Sequence, residues 1–189
     1  MLCYAMIGVR LSVNVMSVKI HAMPPSQNSV GPAIMAQHIG CGGLAMCNLM
    51  EGAHKTEEFT KINPYQHIPT LEDGDFSMGE SNAIFRYLAL KYKPELYPTT
   101  SPEVCGKIDF AMDAFVGEVY KHHMPVVYVV MGFRPAGDDQ AAANKDYSDA
   151  MTKWAQVKRC TRVPAEKRAA LHSCGSRARA RRRSSRGRS

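Results

Sequence analysis

Two short runs place polar groups where helices should begin. Ser26-Gln27-Asn28-Ser29 opens an apolar stretch through Ile34, Met35 and Ile39 that stops at Gly40, and Glu80-Ser81 precedes Ala83, Ile84, Tyr87, Leu88 and Tyr92. Serine is a favoured N-cap, and the first N–H groups of a helix, unpaired within it, attract carboxylates and other anions. Cysteine and histidine chemistry is less promising. Cys3, Cys41, Cys47, Cys105, Cys160 and Cys174 contain no C-x-x-C pair, which argues against a zinc ribbon or a redox dithiol. With no secretory leader ahead of them, they read as idle cytosolic thiols rather than disulfides. His122 and His123 are adjacent, so on a helix they point about 100° apart and make a poor metal pair. No metal is expected.

The charge is unevenly distributed. Of 24 Lys and Arg, 12 fall in residues 158–189 against one acid, Glu166, a net of +11. Residues 1–157 carry 12 basic and 16 acidic residues, a net of −4. The tail is a simple Arg, Ser, Ala and Gly run that cannot build a core and reads as disordered. A polybasic arm can hold nucleic acid or anionic lipid, but the body gives no such signal, so nucleic acid is expected only through the tail. Residues 1–16 satisfy neither a secretory nor a mitochondrial leader and read as an extension outside the fold. No apolar run reaches the roughly 20 residues of a membrane-spanning helix.

The elements that must position the two serine runs follow from periodicity. Ser17–Met23 alternates and ends at Pro24-Pro25, which predicts a strand and a sharp turn before the first helix. Pro32 is expected in the first turn of that helix, where proline is tolerated. Gly43–Met50 reads as a second strand, and Glu51–Lys61 as loop and short helix. Ile68–Leu71 and Phe76–Gly79 flank Glu72-Asp73-Gly74-Asp75, a hairpin signal of type I′. Ser81 is expected to cap the next helix. The order is βαβ, a loop, then ββα, the layout of an α/β thioredoxin-like domain over 17–97. A Pro-rich linker at 98–102 leads to a helix from Glu103 with Val104, Ile108, Met112, Phe115 and Val119 on one face, kinked or interrupted at Pro125. Asp138–Val157 is predicted as another helix, with Ala142, Tyr147, Met151 and Trp154 inward. Residues 103–157 thus form an incomplete all-α domain.

Four stretches in this order, KIHAMPPSQN, GAHKTEEF, INPYQHIPTLEDGDF and ESNAIFRYL, make Lys19 to about Trp154 resemble a cytosolic glutathione S-transferase of the serine-type phi, theta and delta classes. The resemblance implies glutathione as co-substrate and no metal. Its thiol has a pKa near that of free Cys, about 8.5, so the enzyme must stabilise the thiolate. Ser26 matches the hydroxyl that donates to that sulfur, with the helix N-terminus adding partial positive charge; Ser29 is the rival hydroxyl. Ile68-Pro69 matches the family's cis-proline step, where the Ile68 backbone pairs with the cysteinyl part of glutathione. Glu80 and Ser81 match the pair that meets the γ-glutamyl ammonium and carboxylate. His54 and Lys55 match the loop pair that receives the glycyl carboxylate. His67 falls where relatives place a neutral or basic donor, and Gln66 is the other candidate there.

The resemblance further implies conjugation of glutathione to an apolar electrophile or peroxide reduction, a homodimer and a cytoplasmic location. The helices that usually follow Trp154 in the family are not found, which leaves the electrophile site incomplete. That favours a second reading, a non-catalytic glutathione-binding or protein-interaction module of the same fold. A thiol-disulfide oxidoreductase is disfavoured because the turn Pro25-Ser26-Gln27-Asn28 lacks cysteine.

Overall fold

The computed structural model describes residues 17–160, and of 158–160 the backbone only. The extension expected at 1–16 and the basic tail at 158–189 therefore lie outside the residues whose side chains are described. The chain divides after Tyr92 into two compact units.

The first unit is a four-stranded sheet with helices. Strand β1 (Val18–Ala22) leads through Met23-Pro24-Pro25 to helix α1 (Gln27–Ile39), then β2 (Gly42–Met46), helix α2 (Glu57–Ile62), the hairpin β3 (Thr70–Asp73) and β4 (Phe76–Met78), and helix α3 (Ser81–Tyr92). The strand order is β2-β1-β3-β4, with β1 parallel to β2 and antiparallel to β3. This is the thioredoxin-like mixed sheet that the βαβ-ββα order predicts. Val18, Ile20 and Ala22 alternate inward along β1 and meet Ala36, Leu71, Ile84 and Leu88 in one buried cluster. Each fully buried Ile or Leu there contributes about 1.5–3 kcal/mol relative to exposure.

Register decides what the sheet can present. Ile20 pairs with Leu71, and Leu71 with Met78, while Ala22 pairs with Met46. The C-terminal ends of β1, β2 and β4 and the N-terminal end of β3 therefore share one end of the sheet. Four connections meet there: Met23–Ser26, the turns after Met46, the loop before Thr70, and Gly79-Glu80.

Several local expectations need correction. The second strand stops at Met46, because the Asn48 side chain accepts from the Met50 N–H (3.1 Å) and starts a 3-10 turn, Leu49–Glu51. The hairpin register sets Asp73 opposite Phe76, so its loop is Gly74-Asp75. Only Gly74 takes positive φ (63°), the mark of a type II′ turn rather than I′. Pro32 is the sixth residue of α1 and fully buried, a turn deeper than expected. Ser81 begins α3 rather than capping it; the cap position belongs to Glu80, whose carbonyl accepts the Ile84 N–H at 2.9 Å.

The second unit, among the described residues, is helical: α4 (Pro102–Ala114), a π-helical segment (Phe115–Tyr120), α5 (Lys121–Val130) and α6 (Gln140–Cys160). Pro125 lies inside α5 without ending it. The preceding turn is widened into the π segment instead, a common accommodation of a disrupted hydrogen-bond ladder. On α6, Tyr147 and Trp154 turn inward as expected, but Ala150 is the buried residue while Ala142 and Met151 are exposed. The apolar stripe runs Ala143-Tyr147-Ala150-Trp154 at helical spacing. No described helix is long and apolar enough to cross a membrane.

Candidate functional site

Ser26 ends the turn out of β1. Its N–H donates to the Met23 carbonyl (2.8 Å), and its own carbonyl accepts from the Ser29 and Val30 N–H groups (3.0 and 3.1 Å). The backbone of Ser26 thus caps α1, while its half-buried hydroxyl makes no cap hydrogen bond. Ser29 differs. It is fully buried, accepts from the Met23 N–H at 3.2 Å, and has the Ser26 and Met23 carbonyls at 3.1 and 3.3 Å for its one hydrogen. One serine is consumed by the fold. The other stands at the N-cap of α1 with its hydroxyl not spent on a cap hydrogen bond.

His54 and Lys55 form a 3-10 turn, Ala53–Lys55, reached through Gly52 (φ 73°) and followed by Thr56, whose hydroxyl accepts from the Phe59 N–H to cap α2. Phe59 is buried and packs edge-on against His21 of β1, which fixes α2 to the sheet. His54 Nδ1 is buried and has no hydrogen-bond partner. Burial holds its pKa below the ordinary histidine value, and the charges of Lys55 and His67 push the same way. His54, Lys55 and His67 therefore share one electrostatic neighbourhood.

The loop before β3 is held by a residue that pattern reading passed over. Asn63, 4% exposed, donates from Nδ2 to the His67 carbonyl (3.0 Å) and to Thr70 Oγ1 (2.8 Å). Thr70 donates to the same carbonyl at 2.7 Å, and Asn63 Oδ1 accepts from the Tyr65 N–H. The only sequence signal was Asn-Pro, a turn dipeptide. Gln66 takes φ 54° and spends its side-chain donor on Thr60 (2.9 Å), while the His67 side chain is exposed. The Ile68-Pro69 bond is cis, as the family resemblance implies, with Ile68 half-buried and Pro69 buried.

Glu80 is exposed with φ 65°, a conformation that a non-glycine side chain rarely adopts, and half-buried Ser81 follows as the first residue of α3. A Cβ added to Gly79 would stand 3.1 Å from Asn63 Nδ2, so this turn passes close over the Asn63 amide. The register thus brings Ser26, Ile68-Pro69 and Glu80-Ser81 to one end of the sheet, and the turns after β2 bring His54 and Lys55 to that end. Among the described residues no group of three or more His, Cys, Asp or Glu could hold a metal. Cys41 and Cys47 are free and buried, and burial raises both thiol pKa values, so neither is an activated nucleophile.

Residues 44–90 match the family model described as "Glutathione S-transferase, N-terminal domain". Glutathione S-transferase 1 of Manduca sexta is 43% identical over 83 residues, 43% of this chain and 38% of that protein. Glutathione S-transferase 3 of Zea mays is 31% identical over 146 residues, 74% of this chain and 64% of that protein. A solved delta-class glutathione transferase of Nilaparvata lugens superposes with a TM-score of 0.61 at 30% identity, over 71% of this chain and 63% of that one. The chain spans between 38% and 64% of the length of these relatives. Residues 44–90 of its first unit are thus similar to the N-terminal domain of glutathione S-transferases, and the described residues share the fold of solved glutathione transferases.

Proposed function

We propose that the chain binds glutathione at the shared end of the sheet and stabilises its thiolate for attack on an apolar electrophile. The observation that carries the reading is the Ser26 hydroxyl, uncommitted at the N-terminus of α1 while Ser29 is spent within the fold. A hydroxyl donor and a helix N-terminus both favour the charged form of a nearby thiol, so its proton leaves to solvent near neutral pH. The sulfur then forms a C–S bond and the leaving group departs with the electron pair. With a peroxide, the sulfur attacks one oxygen, the O–O bond breaks, and the released alkoxide takes a proton from solvent. A second glutathione thiol then converts the resulting sulfenic acid to glutathione disulfide and water.

The remaining contacts follow from charge and hydrogen-bonding capacity. The Ile68 backbone pairs with the cysteinyl unit like an added strand. The Glu80 carboxylate meets the γ-glutamyl ammonium, and Ser81 with the first N–H groups of α3 receives its carboxylate. Lys55 supplies positive charge for the glycyl carboxylate, His54 Nδ1 supplies a polar atom whose burial is otherwise uncompensated, and His67 lies beside them. A homodimer and a cytoplasmic setting belong to the same reading.

Isothermal titration with glutathione, followed by conjugation of a chloro-dinitrobenzene, tests it on the full chain. Saturable binding and turnover support a transferase. Binding without turnover supports the non-catalytic glutathione-binding module, and no binding overturns both of these, leaving a protein-interaction module of the same fold.

A further inference from the structure

The buried Asn63 carboxamide stands between two segments of the candidate site that are remote in sequence. Below it, Nδ2 is committed to the His67 carbonyl and Thr70 Oγ1, the residues flanking Ile68-Pro69. Above it passes Gly79, immediately before Glu80 and Ser81, so close that even a methyl group would reach Nδ2 at 3.1 Å. The amide cannot easily yield, because both its hydrogens are engaged and Oδ1 holds the Tyr65 N–H.

We propose that Asn63 is a positioning residue of the glutathione site, its amide setting the spacing between the His67–Thr70 loop and the Gly79–Ser81 turn. The inference rests on the glutathione reading above. One glutathione molecule must touch the Ile68 backbone and the N-terminus of α3 together, so its affinity depends on the distance between them. A spacer made of one planar, doubly donating amide against a bare glycine backbone holds that distance within tenths of an ångström. Displacements of about 1 Å in such sites cost up to about a hundredfold. Gly79 is not at positive φ, so an alanine there tests space alone.

The test is a double-mutant cycle on glutathione affinity, with kcat at saturating glutathione read in parallel. Gly79→Ala should weaken glutathione binding about tenfold, with kcat changed less than about threefold and the melting temperature nearly unmoved. Asn63→Ala should weaken binding by a similar factor. In the Asn63→Ala background the tight 3.1 Å contact is gone and no remaining neighbour of the methyl at position 79 is nearer than 3.8 Å, ordinary van der Waals distance. Gly79→Ala should there change affinity less than about twofold. Gly43→Ala, where an added Cβ meets nothing within 4 Å, is the control and should bind as the parent. If Asn63→Ala fails to fold, the Gly79→Ala and Gly43→Ala pair still decides: equal affinities overturn the proposal. Equal effects of Gly79→Ala in both backgrounds overturn it as well. Absence of glutathione binding by the parent chain instead removes the reading on which it rests, and the spacer role with it.

Discussion

The Ser29 hydroxyl and the Ser26 carbonyl, 3.1 Å apart, close the turn that starts α1 and leave the Ser26 hydroxyl outside it. Two serines three residues apart thereby acquire different physical roles. Ser29 satisfies part-buried backbone, whereas Ser26 offers a donor to whatever lies before the helix.

Substitution should separate the two. Ser29→Ala removes the acceptor of the part-buried Met23 N–H and should destabilise the fold by about 1–3 kcal/mol in urea unfolding. Ser26→Ala removes no internal hydrogen bond and should leave stability within about 0.5 kcal/mol. It should, however, lower kcat/KM about 10- to 100-fold, the worth of a hydrogen bond to a charged sulfur. The pH–rate profile should also move alkaline, toward the thiol pKa of about 8.5. An unchanged profile in Ser26→Ala would remove that hydroxyl from thiolate stabilisation.

The elements that present Ser26 were legible because their causes are local. Alternation along Val18–Ala22, the Pro24-Pro25 turn and the Gly40 terminator each act within a few residues. The Asn63 amide was not, since its meaning lies in which carbonyl and which distant glycine it faces, and hydropathy carries no such information. The same limit explains α6. Helical period alone fits a stripe through either Ala143 and Ala150 or Ala142 and Met151, and only packing on the rest of the second unit chooses. Ending β2 at Met46 depended on the Asn48 side chain competing for the backbone, a polar contact inside an apolar run.

Glutathione affinity should respond to acid through His54. Burial keeps this imidazole neutral at pH 7, so Lys55 then carries the charge that meets a carboxylate. Lys55→Met should therefore weaken glutathione binding more than His54→Asn at pH 7.5. A bound carboxylate favours the protonated ring, so affinity should rise as pH falls below about 6.5. His54→Asn should abolish that rise in titrations between pH 7.5 and 5.5.

Asp73 ties the hairpin to α3, accepting from Tyr87 (2.8 Å), Lys91 (2.6 Å) and Tyr92. Burial alone would raise its pKa, but the bonds from Lys91, Tyr92 and Tyr87 outweigh it and hold the carboxyl below its ordinary value. A depressed carboxylate stabilises the fold above its unfolded pKa of about 3.9 and loses that contribution as pH falls through the folded value. Asp73→Asn should cost about 1.5–3 kcal/mol at pH 7. The difference from the parent should shrink below about pH 4, as urea midpoints at pH 7 and pH 3 would show.

His123 sets a different acid window in the second unit. It is 3% exposed, stacked on Tyr120 and edge-on to Tyr128 and Tyr147, with Nδ1 3.3 Å from the Tyr147 hydroxyl of α6. Burial lowers its pKa, so between the folded value and about 6.5 the unfolded chain binds the proton that the folded chain refuses. Stability must then fall as pH drops below about 6.5, well before Asp73 is protonated. The chain's one tryptophan, Trp154, lies in the same unit, edge-on to Phe115, and its fluorescence reports that unit alone. Thermal melts followed by tryptophan emission should therefore shift down between pH 7 and pH 5. In His123→Phe, which keeps the ring and removes the titration, the shift should be smaller even though the loss of the Tyr147 contact lowers the melt at pH 7. An equal shift in parent and variant would show that another group governs the acid sensitivity of this unit.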